Sequence, residues 1–320
     1  MTASLNMSQP GAESMGGRSR LRPFGAGGSE AGVALAILVW FLAAMSLLVA
    51  GIVMQARVDT RLSGLHANRA RVEAAGDGAI QLALAKLLEL EQAGEYSGRS
   101  AYYGVYGLGK LEVAVILTPL SGLIDLNMAS EGLLSALFSS IDGLDESAAY
   151  ELAASVVKWR SATLEGPGNR FEVVEDLFMV EGVDRHIFEA VRDSVYVDRQ
   201  GSSGVDWVSA PLSVLRALGE VDEEAAMALV ESRLTEQVEY LEPPAGMDMS
   251  YQETVASNSY RADALVILDK AVYLRRRWVD RARAGADGLP WLFFRTEAVR
   301  VVPPMGEVAL IAKEGSYAGD

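Results

Sequence analysis

Residues 32–54 read GVALAILVWFLAAMSLLVAGIVM and contain no charged side chain. An apolar α-helix of about 20 residues is long enough to cross the hydrocarbon core of a bilayer. We therefore predict a transmembrane helix over residues 33–54, directly after Gly32. A secretory signal peptide is the first alternative, but its apolar region is shorter and ends in a cleavage site with a change of pattern. Here the helical pattern continues, which favours an anchor that stays in the protein.

The helical pattern extends beyond the apolar stretch as far as about residue 92. Apolar residues recur there at close to helical spacing, with charged residues between them; they are Val58, Leu62, Leu65, Val72, Ala79, Ala83 and Leu87. We predict one combined helix of roughly 60 residues, from Val33 to about Glu91. Because glycine weakens a helix, bends or breaks are expected at Gly64, Gly76 and Gly78.

The N-terminal side of the apolar stretch is polar and positively charged. Residues 1–32 are rich in Gly and Ser and show no apolar period, so we predict no regular structure there. Positive charge tends to remain in the cytoplasm, which predicts a cytoplasmic N-terminus and a folded body outside. The charges concerned are Arg18, Arg20 and Arg22 before the stretch, and a nearly balanced Arg57, Asp59 and Arg61 after it.

Composition argues against several classes of protein. The chain has 43 acidic and 28 basic residues, and its net charge of -15 disfavours a body that binds nucleic acid. It contains no cysteine, which excludes disulfides and thiolate zinc sites. With only His66 and His186, a multi-histidine metal site is not expected. The chain carries no catalytic or nucleotide-binding motif, and we predict that it is not an enzyme.

Two acidic clusters contain the oxygen ligands that calcium prefers. They are residues 220–224 (EVDEE) and the set Asp142, Asp145 and Glu146. Carboxylates also stabilise the N-terminus of a helix. We interpret both clusters as helix starts, with calcium ligation as the alternative.

The first strand is predicted after the long helix. Residues 94–109 contain tyrosines among glycines and are interpreted as turns. Residues 110–118, KLEVAVILT, have an alternating side-chain pattern and are rich in β-branched residues. Both features are typical of a strand.

Further strands are predicted near the C-terminus. Residues 259–282 have the pattern of a β-hairpin with Asp269 and Lys270 at its turn, and residues 291–302 have the pattern of another strand. The three arginines at 275–277 are expected on a solvated face or edge of a strand.

The region between these strands is helical in pattern and contains a weak internal repeat. Residues 125–138 align with 206–219, which places Ala129 on Ala210. The alignment continues into residues 146–149 with 223–226 and residues 156–160 with 229–233. Each half is predicted to be a short turn followed by two small helices.

Between the two halves, residues 171–195 predict a helix, a tight turn at Gly182 and a second helix. This is the outline of a helix-hairpin-helix, whose backbone N–H groups hold a phosphate in nucleic-acid-binding versions. Here Glu181 and Asp184 flank the turn, and residues 121–256 contain 26 acidic and 8 basic residues. Such charge repels a duplex, so we predict a packing role.

The start of the apolar stretch resembles that of the minor pseudopilin K family of the type II secretion system. In that family, prepilin peptidase cuts after a glycine, and the equivalent bond here joins Gly32 and Val33. The mature fifth residue would be Ile37. Most pilins and pseudopilins have a glutamate there, but the K family does not, so Ile37 fits K specifically.

The resemblance continues into the helical region. Residues 124–129, IDLNMA, resemble the N-x-N-x-A turn of the family through Asp125, Asn127 and Ala129, and a second such turn ends at Ala210 and Pro211. The segment around Gly182 resembles E-E-L-x-x-V-x-G-V. The chain departs from the family pattern where Asp125 and Val208 replace asparagines and where Lys158 and Ser161 replace aspartates.

The resemblance implies an α+β pseudopilin fold, with a long N-terminal helix on a small antiparallel sheet and an inserted α-helical, helix-hairpin-helix-like domain. It divides the chain into a leader peptide at 1–32, a transmembrane helix at 33–54, a first pseudopilin α/β segment at 55–124, an inserted α-helical domain at 125–240 and closing strands at 241–320.

The function implied is that of a minor pseudopilin at the tip of the pseudopilus, which helps to start its assembly and to export folded proteins across the outer membrane. The implied partners are the I and J minor pseudopilins, the major pseudopilin and prepilin peptidase. The location would be the inner membrane, with one pass and a periplasmic body. Family members are reported to bind calcium, but no matching motif assigns ligands here.

Two other functions share features with this sequence. A membrane-anchored helix-hairpin-helix DNA receptor of the competence type has the anchor and the Gly182 turn, although the acidic balance predicts no DNA binding. A minor pilin of a type IV pilus would have the same N-terminal segment.

Overall fold

The longest element of the protein is helix α1, Glu30–Ala93. The structure is a computed structural model, and it describes residues 30–161, 169–198, 201–219, 221–235, 241–254, 257–285 and 288–303. The expected leader, residues 1–32, therefore lies almost entirely outside the described residues. The chain divides into two compact units, Met1–Leu65 and His66–Asp320, and each is described by itself.

In the second unit, the C-terminal part of α1 packs on a β-sheet through one apolar face. Its fully buried residues recur three or four positions apart and so lie on one side of the helix; they are Val72, Ala79, Ile80, Ala83, Leu84 and Leu87. They pack against apolar side chains of the central strands, including Val113, Val115, Leu117, Ala264 and Val266. The helix and the sheet thus share one hydrophobic core.

The strands, in chain order, are β1 (Tyr102–Leu108), β2 (Leu111–Pro119), β3 (Ile124–Asp125), β4 (Val195–Tyr196), β5 (Ser259–Leu268), β6 (Ala271–Asp280), β7 (Leu292–Thr296) and β8 (Arg300–Val302). Within the described residues, six of them form an antiparallel sheet in the order β1-β2-β5-β6-β7, and β8 also pairs with β6. The short strands β3 and β4 pair with each other in parallel.

The predicted strand at 110–118 is confirmed as β2, and the predicted hairpin is confirmed as β5 and β6. The interpretation of residues 94–109 as turns is wrong for their second half, because Tyr102–Leu108 forms β1 and pairs along its whole length with β2. The single strand expected at 291–302 is two strands, β7 and β8, which pair with different parts of β6.

The β5–β6 turn consists of two residues with positive φ, Asp269 at 51° and Lys270 at 67°. Both values lie in the left-handed region, which matches the turn type that joins twisted antiparallel strands most directly. Neither residue is glycine, so the backbone of this turn is strained.

Gly76 does not interrupt α1. The helix is continuous through Gly64, Gly76 and Gly78. A Cβ atom at Gly76 would lie 2.7 Å from the Cβ of Arg275 on β6. Glycine therefore allows the sheet to approach the helix at this point.

The arginine run at 275–277 is neither at an edge nor on a solvated face. Strand β6 has neighbours on both sides, and the side chain of Arg276 is 5% exposed. Arg275 donates from Nε to Asp77 Oδ1 of α1 at 2.8 Å, and Arg276 donates from Nε to Asp263 Oδ1 at 2.6 Å. Each of these two arginines is thus paired with a carboxylate.

Between β2 and β5 lies a helical region with its own core. Its helices are α2 (Glu131–Ser139), α3 (Glu146–Ser161), a 3₁₀ helix (Val174–Met179), α4 (Arg185–Val191), α5 (Leu212–Leu215) and α6 (Glu223–Thr235). The core contains large, fully buried side chains such as Phe138, Leu133, Leu134 and Phe171. The first helix expected within residues 171–195 is 3₁₀ rather than α.

These elements confirm the predicted fold class, a long N-terminal helix with a small antiparallel sheet and a helical insertion between strands. Sequential pairing of β1 with β2 and of β5 with β6 leaves β2 and β5 as neighbours in the sheet. The insertion therefore leaves and rejoins the sheet at adjacent strands.

Candidate functional site: the N-terminal helix and the repeated turns

The expected cleavage position lies in the first turn of α1. Nothing lies within 4 Å of the position that a Cβ atom would take at Gly32. Val33 and Ile37 are 60% and 62% exposed. A protease approaching this part of the first unit would therefore meet an accessible backbone and small or aliphatic side chains.

The apolar stretch of α1 exposes nearly all of its large side chains. From Val33 to Met54 they are 45–75% exposed. Within the described residues, one helix is long and apolar enough to cross a membrane; it is α1, because it contains this apolar stretch. Because exposed apolar area of this size is unfavourable in water, the stretch fits a single N-terminal membrane anchor.

The first repeated turn contains Asp125, Asn127 and Ala129. The backbone N–H of Asn127 donates to Asp125 Oδ1 at 2.9 Å, which closes an Asx turn. The side-chain amide of Asn127 donates to the carbonyl of Phe171 at 3.0 Å and accepts from the N–H of the same residue at 3.0 Å. Asn127 thereby ties the turn to a segment more than forty residues further along.

A partly buried guanidinium completes the first turn. Arg160, at the end of α3, donates from Nη1 to the carbonyl of Leu126 at 2.9 Å and from Nη2 to the carbonyl of Ala129 at 2.6 Å. Ala129 is fully buried, so its methyl group faces the core while its carbonyl is held by the arginine.

The second repeated turn has the same aspartate and arginine contacts, but Val208 takes the place of Asn127 and cannot make its side-chain hydrogen bonds. The N–H of Val208 donates to Asp206 Oδ1 at 3.2 Å, and Arg233, in the last turn of α6, donates to the carbonyls of Trp207 and Ala210. Ala210 is also fully buried, and Pro211 follows it at the start of α5. The repeat predicted from the sequence is confirmed, because the alignment also places Arg160 on Arg233.

The two aspartates differ in what surrounds their second carboxylate oxygen. Asp206 Oδ2 lies 3.1 Å from Nη2 of Arg99, in the connection between α1 and β1. Asp125 Oδ2 has no hydrogen-bond partner within the described part of the chain, although the residue is 1% exposed. Burial raises the pKa of Asp125 to about 6, against the opposing effect of the N–H of Asn127.

Gly182 forms the turn between the 3₁₀ helix and α4. Its φ is +90°, and a Cβ atom there would lie 2.9 Å from Leu152 Cδ2 of α3. Asp184 caps α4 by accepting the N–H of Ile187 at 2.9 Å. The turn packs on α3, which agrees with the packing role predicted for it.

The acidic clusters considered as calcium ligands act as helix caps where they are described. Asp145 Oδ1 accepts the N–H of Ala148 at 2.8 Å, and Asp222 Oδ1 accepts the N–H of Ala225 at 2.7 Å. Among the described residues, no group of three or more His, Asp and Glu side chains is placed to share a metal ion. Asp145 and Asp222 therefore support the interpretation of the two clusters as helix starts.

Sequence reasoning did not single out Arg160, Arg233 or Arg99 as parts of the turns. The signal for the first two was present, because the repeat alignment superposes Arg160 on Arg233. Arg99 has no equivalent in the first half, and the sequence gives no sign of its contact with Asp206.

Comparisons with known proteins find similarity to a solved structure. No family model matches the chain. No curated protein matches it either. One chain of the crystal structure of the GspK-GspI-GspJ complex from the enterotoxigenic Escherichia coli Type 2 Secretion System is similar, with 14% sequence identity and a TM-score of 0.44, over 76% of this chain and 99% of that chain. At this identity and TM-score, the match does not assign the chain to a family or a function.

Proposed function

We propose that this protein is a minor pseudopilin of the K type, which acts at the tip of a type II secretion pseudopilus and is not an enzyme. The observation that carries the proposal is helix α1. Its first part exposes large apolar side chains from Val33 onwards, whereas its last part is the core of a folded body. An anchor of this kind can lie in lipid and later pack against neighbouring helices in a filament.

Three further features support the proposal. Gly32 and Val33 stand at the start of the apolar helix, where prepilin peptidase would cut. Ile37 lacks the charge that most pilins have at this position, as expected of a subunit with no neighbour above it. The two repeated turns, at Asp125 and Asp206, resemble the turns of the K family and organise the helical insertion.

The proposed location is the inner membrane, with the N-terminus in the cytoplasm and the body in the periplasm. The proposed partners are the I and J minor pseudopilins, the major pseudopilin and prepilin peptidase. Calcium is not part of the proposal, because Asp145 and Asp222 act as helix caps.

The test is co-expression of the full chain with a prepilin peptidase, followed by mass spectrometry of the membrane fraction. We expect a chain that begins at Val33, and we expect Gly32→Ala to abolish the shortening. Gly51→Ala is the matched control, because Gly51 lies in the same helix with nothing within 4 Å. An unshortened chain beside a peptidase that processes another pseudopilin would refute the proposal.

If the protein were a DNA receptor, it would bind duplex DNA in a salt-sensitive manner. Glu181 and Asp184 flank the Gly182 turn, and the turn packs on Leu152. We expect no salt-sensitive retardation of duplex DNA by the detergent-solubilised protein. A type IV minor pilin would also be shortened by the peptidase, and co-purification with I and J minor pseudopilins separates it from the proposed function.

A further inference from the structure

A cluster of five charged side chains joins the helical insertion to the sheet. Asp193 follows α4 in the insertion, and the other members lie on three strands: Arg261 and Asp263 on β5, Arg276 on β6 and Arg300 on β8. We call this set the Asp193 cluster. It brings together residues that are far apart in the chain.

Asp193 contacts all three arginines. Arg300 donates from Nη2 to its Oδ1 at 2.6 Å and to its Oδ2 at 2.8 Å, and Arg276 donates from Nη1 to its Oδ1. Arg261 donates to its backbone carbonyl. The position of Asp193 is therefore fixed against β5, β6 and β8 at the same time.

Asp263 contacts two of the same arginines, Arg276 and Arg261. Arg276 forms a two-point contact with it, from Nε to Oδ1 at 2.6 Å and from Nη2 to Oδ2 at 2.9 Å, while Arg261 Nε lies 2.9 Å from its Oδ2. Two-point contacts between guanidinium and carboxylate fix direction as well as distance. These contacts with Asp263 fix the orientation of Arg276 and Arg261 toward Asp193.

The cluster is largely shielded from water. The side chains of Arg261, Asp263 and Arg276 are 5–7% exposed, and those of Arg300 and Asp193 are 28% and 40% exposed. Without Asp193, Arg261 and Arg276 would retain the carboxylate of Asp263, whereas Arg300 would lose its two hydrogen bonds to a carboxylate. Removing one partner of a buried ion pair is far more costly than removing a surface pair.

Other contacts between the insertion and the sheet join fewer partners; one of them is the ion pair of Arg192 Nη2 with Glu297 Oε2 at 3.7 Å. Trp278 of β6 packs in the apolar core of the insertion, which favours contact but tolerates small rotations. Arg295 of β7 contacts Glu175 at 3.0 Å, but the Glu175 side chain is 51% exposed. Asp193 differs from these residues because it contacts three arginines on three strands.

We propose that Asp193 is a positioning residue that sets the orientation of the helical insertion on the sheet. Trp278 contributes apolar contact, and the Asp193 cluster selects one arrangement. This role does not depend on the proposed function, since it concerns two parts of one folded unit. In a filament subunit, it would fix how the insertion is presented at the surface.

The test measures the distance between insertion and sheet in the full chain in detergent. Because the chain contains no cysteine, two spin labels can be attached at Lys110→Cys and Glu181→Cys without background. Both positions are exposed, one in the β1–β2 turn and the other beside Gly182. Pulsed electron paramagnetic resonance then gives the distribution of distances between them.

We expect a narrow distribution of distances in the labelled parent. In Asp193→Asn the distribution should be about twice as wide, because the three arginines lose the charged carboxylate that two of them bind through its oxygens. Asp193→Glu should narrow it again, since the carboxylate is restored. Glu189→Gln is the control, because it removes a carboxylate from α4 that is 46% exposed and contacts arginines within the insertion. An unchanged distribution in folded Asp193→Asn would overturn the proposal.

Asp193→Asn could also destabilise the whole unit. In that case Arg300→Gln is measured, because it removes the two hydrogen bonds that the short strand β8 makes to the carboxylate of Asp193. A broader distribution with unchanged helix content supports the proposal. A distribution as narrow as that of the parent overturns it.

Discussion

At the scale of single residues, the first prediction concerns Oδ2 of Asp125. Ionised Asp125 is unfavourable in the folded state, because its Oδ2 is buried and lacks a partner in the described chain. Asparagine can keep the contact with the N–H of Asn127 and carries no charge. We expect Asp125→Asn to raise the free energy of unfolding by about 1–2 kcal/mol near pH 8.

The pH dependence follows from the direction of the shift. The folded pKa of about 6 lies above the unfolded value, so the folded protein binds this proton more tightly. The contribution of Asp125 to stability therefore rises as the pH falls from about 7 to about 4. Chemical unfolding should show the advantage of Asp125→Asn shrinking over that range. Asp206→Asn is the control and should destabilise, because it weakens the pair with Arg99; equal effects would contradict this account.

At the scale of secondary-structure elements, Gly76 is where α1 and β6 approach each other. Alanine normally stabilises a helix by up to about 1 kcal/mol relative to glycine. Gly76→Ala should instead lower the thermal midpoint, because its Cβ would lie 2.7 Å from Arg275 Cβ and 2.9 Å from Arg275 Cγ. Gly64→Ala is the matched control, since nothing lies within 4 Å of its Cβ position. A midpoint raised equally by both substitutions would show that the helix and the sheet are not this close.

The β5–β6 turn gives the second prediction at this scale. Lys270 has a φ of 67°, which glycine adopts without strain, and Asp-Gly is a preferred pair in such a turn. We expect Lys270→Gly to stabilise the protein by about 1 kcal/mol, even though glycine usually costs conformational entropy. Thermal unfolding measures this. Lys110→Gly, at the exposed turn between β1 and β2, serves as a control for the loss of a lysine.

At the scale of the whole molecule, local patterns predicted most elements, and contacts between different elements account for the errors. The apolar periods predicted α1, β2 and the β5–β6 hairpin. Strand β1 was missed because its tyrosines and glycines form a strand by pairing with β2, which no local pattern records. The burial of Arg276 was missed for the same reason, since its partners Asp193 and Asp263 come from two other parts of the chain.

The candidate site was predictable to a similar extent. Asn127 and Ala129 were singled out from the resemblance, and the repeat alignment already contained the pair Arg160 and Arg233. The repeat was readable because the arginine that contacts each turn lies within about 35 residues of that turn. The link from Asp206 to Arg99 spans more than a hundred residues and leaves no periodic trace.

The last prediction concerns which part of α1 belongs to the folded body. The second compact unit begins at His66, and the helix residues buried on the sheet begin at Val72, whereas Val58, Leu62 and Leu65 are about half exposed or more. We expect a fragment of residues 66–320 to be soluble without detergent and to unfold cooperatively, because it retains the helix face that completes the core. Gel filtration and circular dichroism check this.

The matched control is a fragment of residues 84–320, which lacks four of the fully buried residues of the helix, Val72, Ala79, Ile80 and Ala83. Losing Val72 and Ile80 should cost about 3–6 kcal/mol, and the two alanines add to this cost, so the loss is comparable with the stability of about 5–15 kcal/mol of a typical domain. The shorter fragment should therefore aggregate while the longer one stays monomeric. If both fragments fold equally well, the C-terminal part of α1 is not needed for the core, and the fold would be held by the sheet and the helical insertion alone.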